Sequence, residues 1–96
     1  MTESSPQQND IDARLRDQIL VLVEQRGSGK TICPSEVARA VRPNDWRPLM
    51  KKVRRAAILL ADGGHISIYR KGKPIPTDQV RGVIRLGRPA PQSAPQ

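Results

Sequence analysis

Proline and glycine punctuation limits the folds open to this chain more than any other feature. Pro34 fits the first position of a helix, where its missing N–H costs nothing, and Pro43 disfavours helical backbone at Arg42. The helix between them, residues 34–41, is therefore short. Glu36 sits in its first turn, Val37, Ala38 and Val41 face inward, and its stability has to come from neighbouring elements. The turn Arg42-Pro43-Asn44-Asp45 then offers Asp45 as the cap of a further helix over residues 46–62, with Pro48 tolerated in its first turn. Gly63 and Gly64 stop that helix.

Upstream, Asp10 is a suitable N-cap for a helix that carries Ile11, Leu15, Ile19, Leu22 and Val23 at helical spacing and closes at Gly27. A short extended piece, residues 30–32, follows. Beyond the glycine pair, residues 65–71 alternate Ile66 and Ile68 with polar neighbours, as a half-buried strand does. Gly72, Pro74 and Pro76 read as an irregular loop, and residues 80–86, with Val83 and Ile84, as a returning strand. Residues 1–9 and 87–96 are rich in Pro, Gln and Ser and lack the large apolar groups that repay ordering, so both are expected to be flexible tails. One domain, residues 10–86, remains. Its order of helix, short strand, helix, helix, strand, loop, strand is mainly α with a small β-hairpin, the winged helix-turn-helix arrangement of three helices plus a wing. Arg70, Lys71 and Lys73 form the basic tip of that wing.

Four stretches carry a more specific likeness: ICPSEVARAV (residues 32–41), NDWRPLMKKVRRAA (44–57), GHISIYRKGKPI (64–75) and RGVIRL (81–86). Together they resemble a bacterial domain-of-unknown-function family that is similar to winged helices. The resemblance spans nearly all of the folded unit and implies the same fold; it implies no activity.

The formal charge of +8 attracts polyanions at long range and makes nucleic acid the first candidate partner. Catalysis finds little support. The single cysteine, Cys33, has no partner for a disulfide or a zinc site, and His65 is the only histidine, two helices away from it. Gly29-Lys30-Thr31 matches the end of a phosphate-binding loop, but Glu24 stands where the first glycine is needed and a helix, not a strand, precedes it. No catalytic residue, metal ligand or cofactor is assigned. The lone thiol suits a reducing, cytoplasmic setting. The polar start of the chain lacks the order of a secretory signal, and no apolar run approaches the roughly 18 residues of a membrane span.

The informative constellation lies on the third helix. At about 3.6 residues per turn, Leu49, Met50, Val53, Ala56, Ala57 and Leu60 gather on one side, with Arg47, Lys51 and Arg55 opposite and Lys52 and Arg54 flanking them. No carboxylate follows on that face until Asp62, so the charges repel one another without a partner. In helix-turn-helix proteins this helix enters the DNA major groove, about 12 Å wide, with cationic side chains on phosphates and base edges. The expected nucleic-acid contacts are Arg47, Lys51, Lys52, Arg54 and Arg55 on the helix and Arg70, Lys71 and Lys73 in the wing, with duplex DNA the favoured partner and a transcriptional regulator the implied role. The rivals are an acidic protein partner, dimerisation through the first helix, and duplex RNA. With Trp46 and Tyr69 the only aromatics, single-strand binding by base stacking is disfavoured, and Trp46 is expected to pack over the turn. Ile58 falls near the basic face, as a contact to a thymine methyl or to a protein.

Overall fold

The computed structural model describes residues 7–90, with side chains from residue 10 onward. Those parts of the expected tails that fall at 1–6 and 91–96 lie outside the described residues. Helix α1, Gln7–Arg26, begins ahead of the expected cap, so Asp10 sits in its first turn, where a carboxylate meets the positive end of the helix dipole. Ile11, Leu15, Ile19 and Val23 form its buried stripe. The helix closes at Gly27, whose φ of +95° suits glycine and whose N–H donates to the Val23 carbonyl at 3.2 Å.

Strand β1, Thr31–Ile32, leads into α2, Pro34–Val41, with proline in the first turn as expected. The Cys33 N–H donates to the Glu36 carboxylate at 2.9 Å, which satisfies an otherwise orphaned donor at the helix start. The third helix differs from expectation at its beginning. A 3₁₀ turn, Arg47–Leu49, precedes α3, Met50–Asp62, and no side chain caps it; Asp45 is exposed. The Leu49 N–H donates to the Trp46 carbonyl at 2.9 Å, and Pro48, at one of the two positions whose N–H a capping Asp45 would accept from, has none to donate. Past this turn the expected phase holds: Leu49, Val53, Ala56, Ala57 and Leu60 are buried and Met50 packs against them from the edge.

Strands β2, Ser67–Arg70, β3, Lys73–Ile75, and β4, Arg85–Gly87, join β1 in one antiparallel sheet of order β1-β4-β2-β3. Two expectations change here. The stretch around Pro74 is a strand and not an irregular loop, and the returning strand is shortened to Arg85–Gly87, which takes in Gly87 from the expected tail. Proline removes a donor from the ladder, but among the described residues β3 is an edge strand with one side unpaired, where that loss is tolerated. The β2–β3 connection is the two residues Lys71 and Gly72, with φ of +53° and +82°, a pattern suited to the twist of a hairpin.

Ile32, Leu86, Ile68 and Ile75 pair across the sheet in one row; the first three are fully buried beneath the helices. Side chains alternate across strands, so Thr31, Ser67, Tyr69 and Arg85 face away from the core. The folded part does not stop at residue 86. Tyr69 Oη donates to the Arg88 carbonyl at 2.9 Å, the Ala90 N–H donates to Ser67 Oγ at 2.7 Å, and Arg88 pairs with Glu24 of α1 at 3.0 Å. Residues 88–90, expected in a flexible tail, therefore lie along the outer face of β2. Three helices with this small four-stranded sheet make a winged helix-like fold, in which residues 71–84 are the wing between β2 and β4.

Candidate nucleic-acid interface

The exposed ridge of α3 runs through Lys51, Arg55 and Leu59 to Asp62, each about one turn after the last and opposite the Val53–Leu60 core stripe. Among the described residues Lys51 and Arg55 make no hydrogen bond or ion pair, and they stand as open cations. The flanks are less open than the sequence implied. Asp12 and Arg16 of α1 line a depression of about 20 Å³ together with Lys52, Arg55, Ala56 and Leu59, so a carboxylate stands beside the basic face well before Asp62. This juxtaposition across two helices is invisible to a reading of α3 alone. Asp62 is itself engaged, accepting from Thr77 Oγ1 at 2.7 Å.

Arg47 is exposed at the start of the 3₁₀ turn, but its guanidinium lies over the Trp46 ring at 4.7 Å from the centroid, and Arg39 of α2 lies over the same ring at 4.5 Å. Two cations thus share one indole, each attracted by the negative face of the π system. Trp46, expected to pack over the turn, is half-buried against the core edge and gathers the two cations. Arg39 was missed because it lies on α2; only its helical phase, exposed beside buried Ala38, hints at a surface role.

Arg54 and Arg70 are tied down. Arg54 donates to the Gly82 carbonyl at 2.5 Å, and Arg70 donates to the carbonyls of Gln79 at 3.3 Å and Arg81 at 3.4 Å. Both guanidinium groups converge on one stretch of the wing, residues 79–82, and join it to α3 on one side and to the end of β2 on the other. Lys71 and Lys73 are exposed at the hairpin turn, and Arg81, which the sequence placed inside a strand, is exposed in the wing. Ile58 is half-buried and packs against the core; the exposed apolar residue of the ridge is Leu59, at 53%. The eight expected contact residues thus divide into Lys51, Arg55, Lys71 and Lys73, which are open; Arg47, stacked on Trp46; Lys52, half-buried in the depression that Asp12 also lines; and Arg54 and Arg70, which bond to the wing.

Elsewhere, Arg26 pairs with Glu36 across α1 and α2, and Arg85 donates to Thr31 Oγ1 at 2.6 Å and to the Thr31 carbonyl at 3.1 Å. Burial raises the Glu36 pKa, but the Cys33 N–H, Arg26 and Arg85 together outweigh it and hold the carboxyl below its ordinary value. Cys33 is half-buried at the start of α2 with Sγ 3.1 Å from Ser35 Oγ, and His65 is exposed after the glycine pair. Among the described residues no three His, Cys, Asp or Glu side chains gather as metal ligands, and no helix is long and apolar enough to cross a membrane. Gly29, Lys30 and Thr31 line an open groove of about 340 Å³ with Tyr69, Gly72 and Arg88, on the sheet face turned away from the core.

The geometry of helices, sheet and wing can be set beside known proteins. A family model described as "Protein of unknown function (DUF3253)" matches residues 12–89. The chain belongs to this family. For this member the match takes in α3, the whole wing and the docked residues 88 and 89, and so extends past the sequence-based boundary at 86. No curated protein matches the chain.

Proposed function

We propose that this domain is a non-enzymatic binder of double-stranded DNA that applies α3 and the wing to the duplex, as a transcriptional regulator does. The observation that carries the reading is the pair of open cations Lys51 and Arg55 on the exposed ridge of α3, on the helix that Arg54 ties to the wing. A helix about 10–12 Å across fits the major groove, and open lysine and arginine side chains supply phosphate contacts. Lys71 and Lys73 at the hairpin turn extend the basic surface, and Arg39 and Arg47 on Trp46 extend it along the start of α3. Helix α3 carries no Asn or Gln, so positioning on phosphates outweighs base reading in this proposal. A cytoplasmic, bacterial setting accompanies the reading, from the lone thiol and the family resemblance.

A protein-docking reading draws on one observation, the exposed Leu59 between Arg55 and Asp62. The discriminating experiment titrates the whole chain against duplex DNA, duplex RNA and an acidic polypeptide over a range of salt. Duplex DNA binding whose logarithm falls linearly with log salt supports the proposal. Tighter binding to duplex RNA or to the acidic polypeptide at every salt concentration refutes it.

A further inference from the structure

Val83 is the most exposed large apolar side chain among the described residues, at 85%, and it does not sit on a loose loop. On one side of it Ile84 is buried at 2% exposure, and before it Val80 packs against the core. Between these anchors Arg54 donates to the Gly82 carbonyl, and one Arg70 nitrogen is shared by longer bonds to the carbonyls of Gln79 and Arg81. Gly82 takes φ of +71°, a left-handed turn that interrupts the expected strand between the two anchors. The backbone that presents Val83 is thus fixed from α3, from β2 and from the core together. An apolar group held in water by a stiff support loses little conformational freedom when a partner covers it.

We infer that Val83 is a base-reading contact of the domain: an apolar side chain that meets a thymine methyl in the groove, with Arg81 beside it on a phosphate. The inference rests on the DNA-binding reading above. Charge selects this occupant. The cations that the structure places at this loop are Arg81 within it and Arg54 and Arg70, whose guanidinium groups reach the carbonyls of Gly82, Gln79 and Arg81. Of the nearby carboxylates, Asp62 is tied to Thr77, and Asp78 is the one in the loop itself. An apolar tip beside three arginines suits a polyanion with apolar groups in its groove, and in duplex DNA the thymine methyl of the major groove is such a group. Arg54 and Arg70 become positioning residues that aim the tip, which explains why they are spent on backbone carbonyls.

The test uses the full chain. A preferred duplex is selected from a randomised pool, and each thymine is then replaced in turn by deoxyuridine, which lacks only the methyl. The wild-type chain should lose about fourfold in affinity at one position, the worth of one buried methyl group. Val83→Ser should bind the all-thymine duplex about fourfold or more weakly, keep the wild-type salt slope, and no longer distinguish thymine from deoxyuridine there. Circular dichroism checks that the variant is folded, as expected for a side chain this exposed. If Val83→Ser keeps the same deoxyuridine sensitivity as wild type, the inference is wrong while DNA binding stands. If the wild-type chain shows no salt-dependent duplex binding, both readings fall. A concentration-dependent dimer in sedimentation that Val83→Ser dissolves, with DNA affinity unchanged, assigns the side chain to self-association and overturns the inference.

Discussion

Deleting residues 88–96 separates a chain that ends at its sequence-based boundary from one that folds back over its sheet. Composition alone expects no effect, because residues 87–96 offer little apolar surface. The structure assigns three interactions to residues 88–90: Tyr69 Oη to the Arg88 carbonyl, the Ala90 N–H to Ser67 Oγ, and the Arg88–Glu24 pair. The ion pair is exposed, 39% at Arg88 and 76% at Glu24, so solvent screening leaves it a small contribution. The two part-buried hydrogen bonds carry the rest, at about 0.5–1.5 kcal/mol each. Their loss amounts to about 1–3 kcal/mol and, in a domain this small, about 4–8 °C in Tm per kcal/mol. The assay is thermal and urea unfolding of three chains: full length, residues 1–90 and residues 1–87. Residues 1–90 should match full length, because none of the three interactions involves residues 91–96, whereas residues 1–87 should lose several degrees. Tyr69→Phe, which removes only the hydroxyl, should reproduce part of that loss. Equal midpoints for all three chains would show that the docked segment adds no stability and refute the assignment.

Leu60→Ala, at a site 6% exposed between α3 and the core, should cost about 2–5 kcal/mol and lower the urea midpoint; an unchanged midpoint would mean the helix phase is wrong. Lys51→Ala and Arg55→Ala should each leave the fold intact and reduce the slope of log affinity against log salt by roughly one, whereas Lys51→Glu that still bound duplex DNA as tightly as wild type would remove α3 from the interface. Because the Glu36 carboxyl titrates below its ordinary value of 4.5 in the folded chain, its stabilisation is present above the unfolded value and is lost as pH falls through the folded one. The Tm difference between wild type and Glu36→Gln should therefore persist from neutral pH and close only below about the ordinary value of 4.5; a difference constant down to strong acid would contradict this. Gly82→Ala meets open space but a φ of +71°, so it should destabilise the wing by about 1 kcal/mol and speed amide exchange at residues 80–84, with α1 exchanging as before.

Much of the architecture was legible because it depends on local physics. Pro34 and Pro43 bound α2 through their own ring geometry, and the spacing of Ile11, Leu15, Ile19 and Val23 depends only on the helical period. The expectations that changed are those in which a distant partner overrode a local preference. Pro74 and Pro76 argued for a loop, yet pairing with β2 recruits Lys73–Ile75 as an edge strand. Val83 reads as strand by its β-branched side chain, yet the turn at Gly82 and the two arginines hold it out of the ladder. Asp45 suits a cap, yet Pro48 three residues on has no N–H for it to accept, and the helix opens with a 3₁₀ turn in which the Leu49 N–H donates to the Trp46 carbonyl.

The candidate site divides along the same line. Sequence by itself determined that α3 has an apolar side and a basic side, since both follow from side-chain identity at helical spacing, and that the chain carries excess positive charge. Only the tertiary structure decided which of those cations stay open. Asp12 comes beside Lys52 from another helix, Trp46 gathers Arg39 and Arg47, and the carbonyls of residues 79, 81 and 82 engage Arg54 and Arg70 from the wing, whereas Lys51 and Arg55 make no ion pair among the described residues. A side chain's charge is a local property, but its availability depends on what the fold brings within hydrogen-bonding distance, and those partners lie on other elements of the chain.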